Sequence, residues 1–293
     1  MIERVAWSLD TDRMHIMNDS IKKRLTTGLA SLFLVVLAAC EGESSSSSSS
    51  NGVTGIAGST ARMVIVNDYL YAIANNQIQL FNISTPAAPN PWARVTVDWD
   101  IQTLYPYEQY LLVGAADGVH ILDNSDEASP QYISDFRHGS AIDPVVAANG
   151  YAYVTLKRDR TLLNSVDDQM NVIDISNVFD PQLKKVLPMQ GPEGLSVDGQ
   201  RLFVCDGAAG LKQFDLAEPE NPTVVDVLPD VDCNDVIAFN GTLYVITDNS
   251  LQQYDYTVSP PQQLSIIETD VMSSDALEQA LSAVIDQHQG IRF

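Results

Sequence analysis

The residues with the greatest chemical capacity recur at one position of a repeat. Five residues before each of the turn signals at 67, 108, 149, 198 and 240 stand Arg62, Thr103, Pro144, Glu193 and Asp235, with Asp143 beside Pro144. Asp98, Asp100, His138 and Asp232 fall on the segments that lead into the same positions. Clustered carboxylates suit Ca²⁺, and one guanidinium among them suits a small polar ligand. The competing reading is a solvated or salt-bridged ring of charges that serves the fold alone. No EF-hand loop and no repeated Gly-Asp calcium signature accompanies these residues, so no cofactor is expected beyond Ca²⁺ as the one ion the pattern admits. The four histidines, His15, His120, His138 and His288, form no His-x-x-x-His or His-Glu-x-x-His pair, which argues against a zinc hydrolase. There is no Gly-x-Ser-x-Gly elbow, and His138-Gly139-Ser140 near Asp143 is a grouping that chance supplies easily. With no catalytic constellation, the sequence favours binding over catalysis.

What must position these residues is a set of short strands. The chain has 293 residues, of which 45% are hydrophobic, enough for a packed core. Its net charge of −22 argues against nucleic acid, whose phosphates require a basic footprint. Three cysteines are too few to staple a small scaffold. Five units of about forty residues follow one another. Each has an apolar run before its turn, such as Met63–Val66 or Val236–Phe239, and a second run after it, such as Tyr69–Ile73 or Thr242–Val245. A third run ends in a pattern like Asp174-Ile175-Ser176, and a fourth follows a proline such as Pro181. Alternation with β-branched and aromatic enrichment marks all four as strands. Asn149-Gly150 and Asn240-Gly241 mark tight hairpins between first and second strands.

Four antiparallel strands per repeat is the blade of a β-propeller. The sequence therefore predicts an all-β fold, a propeller of five four-stranded blades over about residues 59–270. A flat β-solenoid is the structural alternative. The innermost strands border the central channel, so Arg62 would face Asp143, Glu193 and Asp235 at one mouth. Asp100 and His138 would join that rim. Cys205 ends a second strand and Cys233 precedes the next blade's first strand, on the same face; the two would form a disulfide or remain as buried thiols. The insertion Lys157–Gln169 lengthens the third unit.

Both ends of the chain depart from the repeat. Asp275-Ala276-Leu277-Glu278 reads as a helix start, and Leu277, Leu281, Val284 and Ile285 share one helical face. A short amphipathic α-helix is expected at about 275–287, within a tail spanning 271–293, packed on the ring. At the other end, Lys22-Lys23-Arg24 precedes the apolar run Gly28–Leu37 and then Leu37-Ala38-Ala39-Cys40. Basic, apolar and small-residue regions in that order make a secretory signal. The run is too short for a transmembrane helix. Residues 1–16 fit no such leader, and Met17 is the more natural start.

Leu37–Cys40 resembles a bacterial lipobox, which implies a signal peptide at 1–39 and lipid on Cys40 as the mature N-terminus. Glu41 rather than Asp favours sorting to the outer membrane of a Gram-negative bacterium. Residues 40–58, with serines 44 to 50, form a flexible tether with a span of about 25 Å. The third-strand motif Asn171-Val172-Ile173-Asp174-Ile175-Ser176, followed by Asp180-Pro181, resembles the LVIVD repeat of bacterial propeller proteins. Phe81–Pro86 and Phe214–Pro219 are looser copies. That resemblance implies fold and an extracytoplasmic setting but no shared catalytic mechanism. The resulting expectation is a lipid-anchored cell-envelope propeller, held at the membrane by its N-terminal lipid, that scaffolds an envelope protein partner. The alternative is an ion or small-ligand binder, or a hydrolase, working at the acidic channel mouth.

Overall fold

The computed structural model describes residues 59–97, 100–138, 144–158 and 166–268. The lipobox and tether, Asp98, Asp143 and the tail expected to be helical lie outside the described residues.

Twenty strands form five four-stranded antiparallel sheets in a propeller arrangement. Blade 1 is β1 (Met63–Val66), β2 (Tyr69–Ala74), β3 (Gln77–Asn82) and β4 (Asn90–Thr96). Blade 2 is β5 (Ile101–Tyr107), β6 (Tyr110–Ala115), β7 (Gly118–Asp123) and β8 (Gln131–Arg137). Blade 3 is β9 (Val145–Ala148), β10 (Tyr151–Leu156), β11 (Gln169–Asp174) and β12 (Gln182–Pro188). Blade 4 is β13 (Leu195–Asp198), β14 (Arg201–Cys205), β15 (Leu211–Asp215) and β16 (Thr223–Leu228). Blade 5 is β17 (Asp235–Phe239), β18 (Thr242–Ile246), β19 (Ser250–Asp255) and β20 (Gln262–Glu268).

Local chemistry closes each sheet in the same way. Two-residue turns join first and second strands, and their first residues, Asn67, Glu108, Asn149, Gly199 and Asn240, all take left-handed backbone. Asn149-Gly150 and Asn240-Gly241 place both residues at positive φ, the geometry whose twist matches flanking strands. At the end of each third strand an Asx turn caps the blade. Asp174 accepts from the Ser176 amide at 3.0 Å, Asp123 from Ser125 at 2.9 Å, and Asp255 from Thr257 at 2.8 Å. These bonds to the charged form, the hydroxyl's first and the amide's next, hold all three carboxyls below the ordinary range. Every blade also has a register shift between its third and fourth strands, as between Val172 and Ile173 or Gln213 and Phe214. Such bulges add twist and spoil the exposed edge as a template for another chain.

Packing is between blades. One buried cluster joins Val64, Ile78 and Leu80 of blade 1 to Leu104 and Leu111 of blade 2. A second joins Leu112 and Ile121 to Val145 and Val154, a third Tyr153 and Val172 to Leu202 and Phe214, and a fourth Phe203 and Leu211 to Val236 and Leu243. Tyrosines tie the outer loops across these seams: Tyr71 donates to the Glu127 carbonyl at 2.7 Å, and Tyr153 to that of Pro219 at 2.9 Å. Among the described residues no buried cluster joins blade 5 to blade 1. There the link is made at the channel mouth. Thr60, ahead of β1, donates to Asp235 at the start of β17 at 2.5 Å, and beside it the fully buried Ser59 accepts from the Leu195 amide of blade 4 at 2.7 Å.

Blade 2 carries a buried polar group that the repeat does not explain. His120 is buried on β7, paired in register with Asp135, with Asp117 at 3.8 Å. Tyr132 lies beside its ring, and Arg137 bridges Asp117 and Asp135 at 2.9 and 2.5 Å. Burial depresses the imidazole pKa, opposed by Asp117 and Asp135 and aided by Arg137. The unfolded chain then binds the proton more readily than the folded one, so folding stability is complete above about pH 6.5 and declines as pH falls below it. Thermal melts from pH 7.5 to pH 5 should show this decline, and it should be shallower in His120→Leu. Equal slopes in the two proteins would remove His120 as its source.

Candidate functional site at the channel mouth

The inner strands β1, β5, β9, β13 and β17 lie side by side and begin at the same end. Backbone bonds mark that end: Leu104 to the Ala61 carbonyl at 2.9 Å, and Gly194 to that of Asn234 at 3.0 Å. The turns between second and third strands open there too. This face therefore collects inter-blade segments and hairpin loops, the parts free to vary without disturbing the sheets.

Among the described residues, two concavities open on it. The larger, of about 820 Å³, spans blades 3, 4 and 5. Its walls are Lys157, Arg158 and Asp168 from the blade 3 insertion, Gln190, Gly191 and Glu193 ahead of β13, and Gly207 after β14. Asp232 and Asn234 ahead of β17, and Thr247, Asp248 and Asn249 before β19, complete it. The smaller, of about 390 Å³, is lined by Thr60, Arg62, Asp100, Gln102, Thr103 and Pro144.

The residues expected at one rim are thus divided between two places. Arg62 and Asp100 do come together, in the smaller pocket. Glu193 lines the larger cleft, where its carboxylate is ion-paired with Lys157. Asp235 turns toward Thr60 and accepts from its neighbour Val236 at 3.0 Å. Burial raises its carboxyl above the ordinary range, partly offset by those two bonds. His138 is half-buried at the end of β8, its ring centroid 6.4 Å from that of Phe136 and its amide donating to the Asp117 carbonyl at 3.0 Å. Among the described residues no three His, Cys, Asp or Glu side chains stand together as a metal site.

The blade 4 side of the cleft rests on two constraints. Asp206, fully buried at the end of β14, is ion-paired with Lys212 and accepts from the Gln190 amide at 2.6 Å. Cys205 is joined to Cys233 by a disulfide, with Cα atoms 5.3 Å apart. Cys205 also accepts from the Glu193 amide at 2.8 Å and donates to Gly194 at 3.0 Å. Gly194 has to be glycine, because a Cβ there would lie 2.8 Å from the Asp235 Cα. Blades 4 and 5 are therefore held close at the cleft floor.

Aligning inner strands could find Glu193 but not Lys157, Arg158, Asp168 or Asp248, which sit between second and third strands. The signal for the first three was the insertion after β10: extra length in a repeat maps to one face, and in this fold that face is the channel mouth.

The charge balance of the cleft is mixed but uneven. Lys157 is paired with Glu193, and Arg158 with Asp167 at 3.0 Å. Asp232 is exposed, and Asp248 accepts from a neutral donor, Asn234, at 2.8 Å. The cleft therefore presents a surplus of negative charge beside backbone groups at Gly191 and Gly207.

No protein-family model matches the sequence, and no curated protein matches it. Solved structures do resemble the fold. A protein of unknown function from Desulfotomaculum acetoxidans is similar at 13% identity and a TM-score of 0.56, over 74% of this chain and 71% of that one. The periplasmic gluconolactonase of Pseudomonas aeruginosa is similar at 13% identity and a TM-score of 0.53, over 69% and 68%. AztD from Citrobacter koseri is similar at 13% identity and a TM-score of 0.53, over 72% of this chain and 62% of AztD. At such identities the likeness is one of architecture: the chain has the β-propeller fold.

Proposed function

We propose that the chain is a lipid-anchored envelope protein whose propeller holds a protein partner at the large cleft and catalyses no reaction. The lipobox-like Leu37–Cys40, the serine tether and the LVIVD-like third strands support the setting. The observation that carries the binding role is the cleft itself. It is broad and polar, is built by loops of three blades, and has a surplus of carboxylates at Asp232 and Asp248. A shape of this kind suits a protruding polar segment with basic side chains, and complementary charge would speed its arrival. The fold alone does not bring lactone chemistry with it, since propellers serve many activities. The smaller pocket at Arg62 and Asp100 has the size of a small-ligand site and supports the second reading, a polar ligand or ion held there.

Mild cross-linking of envelopes followed by purification of the lipidated protein tests the first reading. One envelope protein should be recovered near one-to-one, and recovery should fall at least tenfold in Asp232→Lys with Asp248→Lys. An unaffected recovery, or none from the wild type, defeats it and directs ligand and Ca²⁺ titrations to the Arg62 pocket.

A further inference from the structure

Among the described residues, blades 2, 3 and 4 bury both faces of their sheets, whereas blades 1 and 5 bury one each. The second face of blade 1 presents Met63 and Ile65, which are 63% and 44% exposed. Leu70 and Ala72, their cross-strand partners, are half-buried. The second face of blade 5 presents Ile246 and Ile267, 46% and 55% exposed, with Phe239, Ile237 and Leu251. Two apolar sheet faces of one molecule thus border the same seam without a shared core.

The chain outside the described residues supplies an occupant of fitting length and pattern. Each blade hands over to the next through a short connector: 97–100, 138–144, 189–194 and 229–234. After β20 ends at Glu268, residues 269–274 match the last two of these in length and bring the chain to Asp275, where the helix signal begins. In the order of the sequence, the segment that follows takes the place of a sixth unit. It carries Leu277, Leu281, Val284 and Ile285 on one side, flanked by Ala276, Ala280 and Ala283. At 3.6 residues per turn these seven cover about half the helix circumference, with Glu278, Ser282 and Asp286 on the remainder. A stripe that wide fits a wedge between two sheets better than a single flat surface.

We propose that residues 275–287 form a helix seated between blades 5 and 1, where it closes the propeller in place of a further blade. Leu277, Leu281, Val284 and Ile285 meet one sheet face, and the three alanines let the other approach.

Thiol labelling of the full chain tests this. With Cys205 and Cys233 bonded and Cys40→Ser, a single introduced Ile246→Cys or Ile65→Cys reports cover of each face. Both thiols should react slowly with a maleimide, and at least tenfold faster when Leu281→Asp and Val284→Asp are added. Circular dichroism would show that the added changes leave the strands intact. In two further full-chain variants Leu281→Cys is paired with Ile65→Cys or with Ile246→Cys, and one of the two pairs should form a cross-link within one molecule. Equal labelling rates, with no such cross-link, would overturn the proposal. So would slow labelling that is lost on dilution, which would make a second copy of the chain the cover.

Discussion

Replacing Lys212 with Met is expected to destabilise the propeller by about 3–5 kcal/mol, the usual cost of leaving one member of a buried ion pair alone. Asp206 is fully buried, and Lys212 is the cation paired with it. The Gln190 amide, at 2.6 Å, cannot replace a neutralising charge. Methionine keeps most of the lysine stem, so packing changes little and the loss isolates the charge. Asp206→Asn added to Lys212→Met should recover most of the stability, because the amide oxygen still accepts from Gln190 and no charge remains to be buried. Urea unfolding of the two variants beside the wild type measures both steps. A single-variant loss below 1 kcal/mol, typical of solvated surface pairs, would mean that water reaches Asp206. The cleft wall at Gln190 and Gly207 hangs on this pair, so the same substitution should also weaken partner recovery.

The parts legible in the sequence were those fixed by local chemistry. Asn149-Gly150 and Asn240-Gly241 specify their turns through backbone conformation, and Asp174-Ile175-Ser176 specifies its cap through one side chain and the amide two residues on. Both act within a few residues, and each recurs, so five blades could be counted and the inner strands aligned. The bulge in every blade left no such mark, because it arises from the twist between neighbouring strands and not from a residue type. The candidate site was half legible for the same reason. Position in the repeat brings Arg62, Asp100, Glu193 and Asp235 to one mouth. What each carboxylate then faces depends on Lys157 reaching Glu193 and Thr60 reaching Asp235, contacts spanning 36 and 175 residues. No spacing rule reports a pairing at that distance.

Removal of the Cys205–Cys233 disulfide, by Cys205→Ala with Cys233→Ala, should cost about 3–4 kcal/mol from loop closure alone. The bond closes a loop with a sequence separation of 28 residues, and an unfolded chain without it regains that freedom. Both sulfurs are buried in the cluster that joins blades 4 and 5, beside Phe203, Val236 and Val245, so truncation also leaves a small cavity there. The two contributions add, which separates this pair from an exposed disulfide of equal loop length. Because Cys205 is bonded through its backbone to Glu193 and Gly194, loosening it should widen the seam at the cleft floor. Comparing melting temperatures with and without a reductant distinguishes the two parts: reduction removes only the cross-link, whereas the double variant removes the cross-link and the sulfur volume. The variant should therefore melt below the reduced wild type. If the reduced and oxidised proteins melt together, the bond does not constrain the unfolded chain, and the seam between blades 4 and 5 is held by its apolar packing.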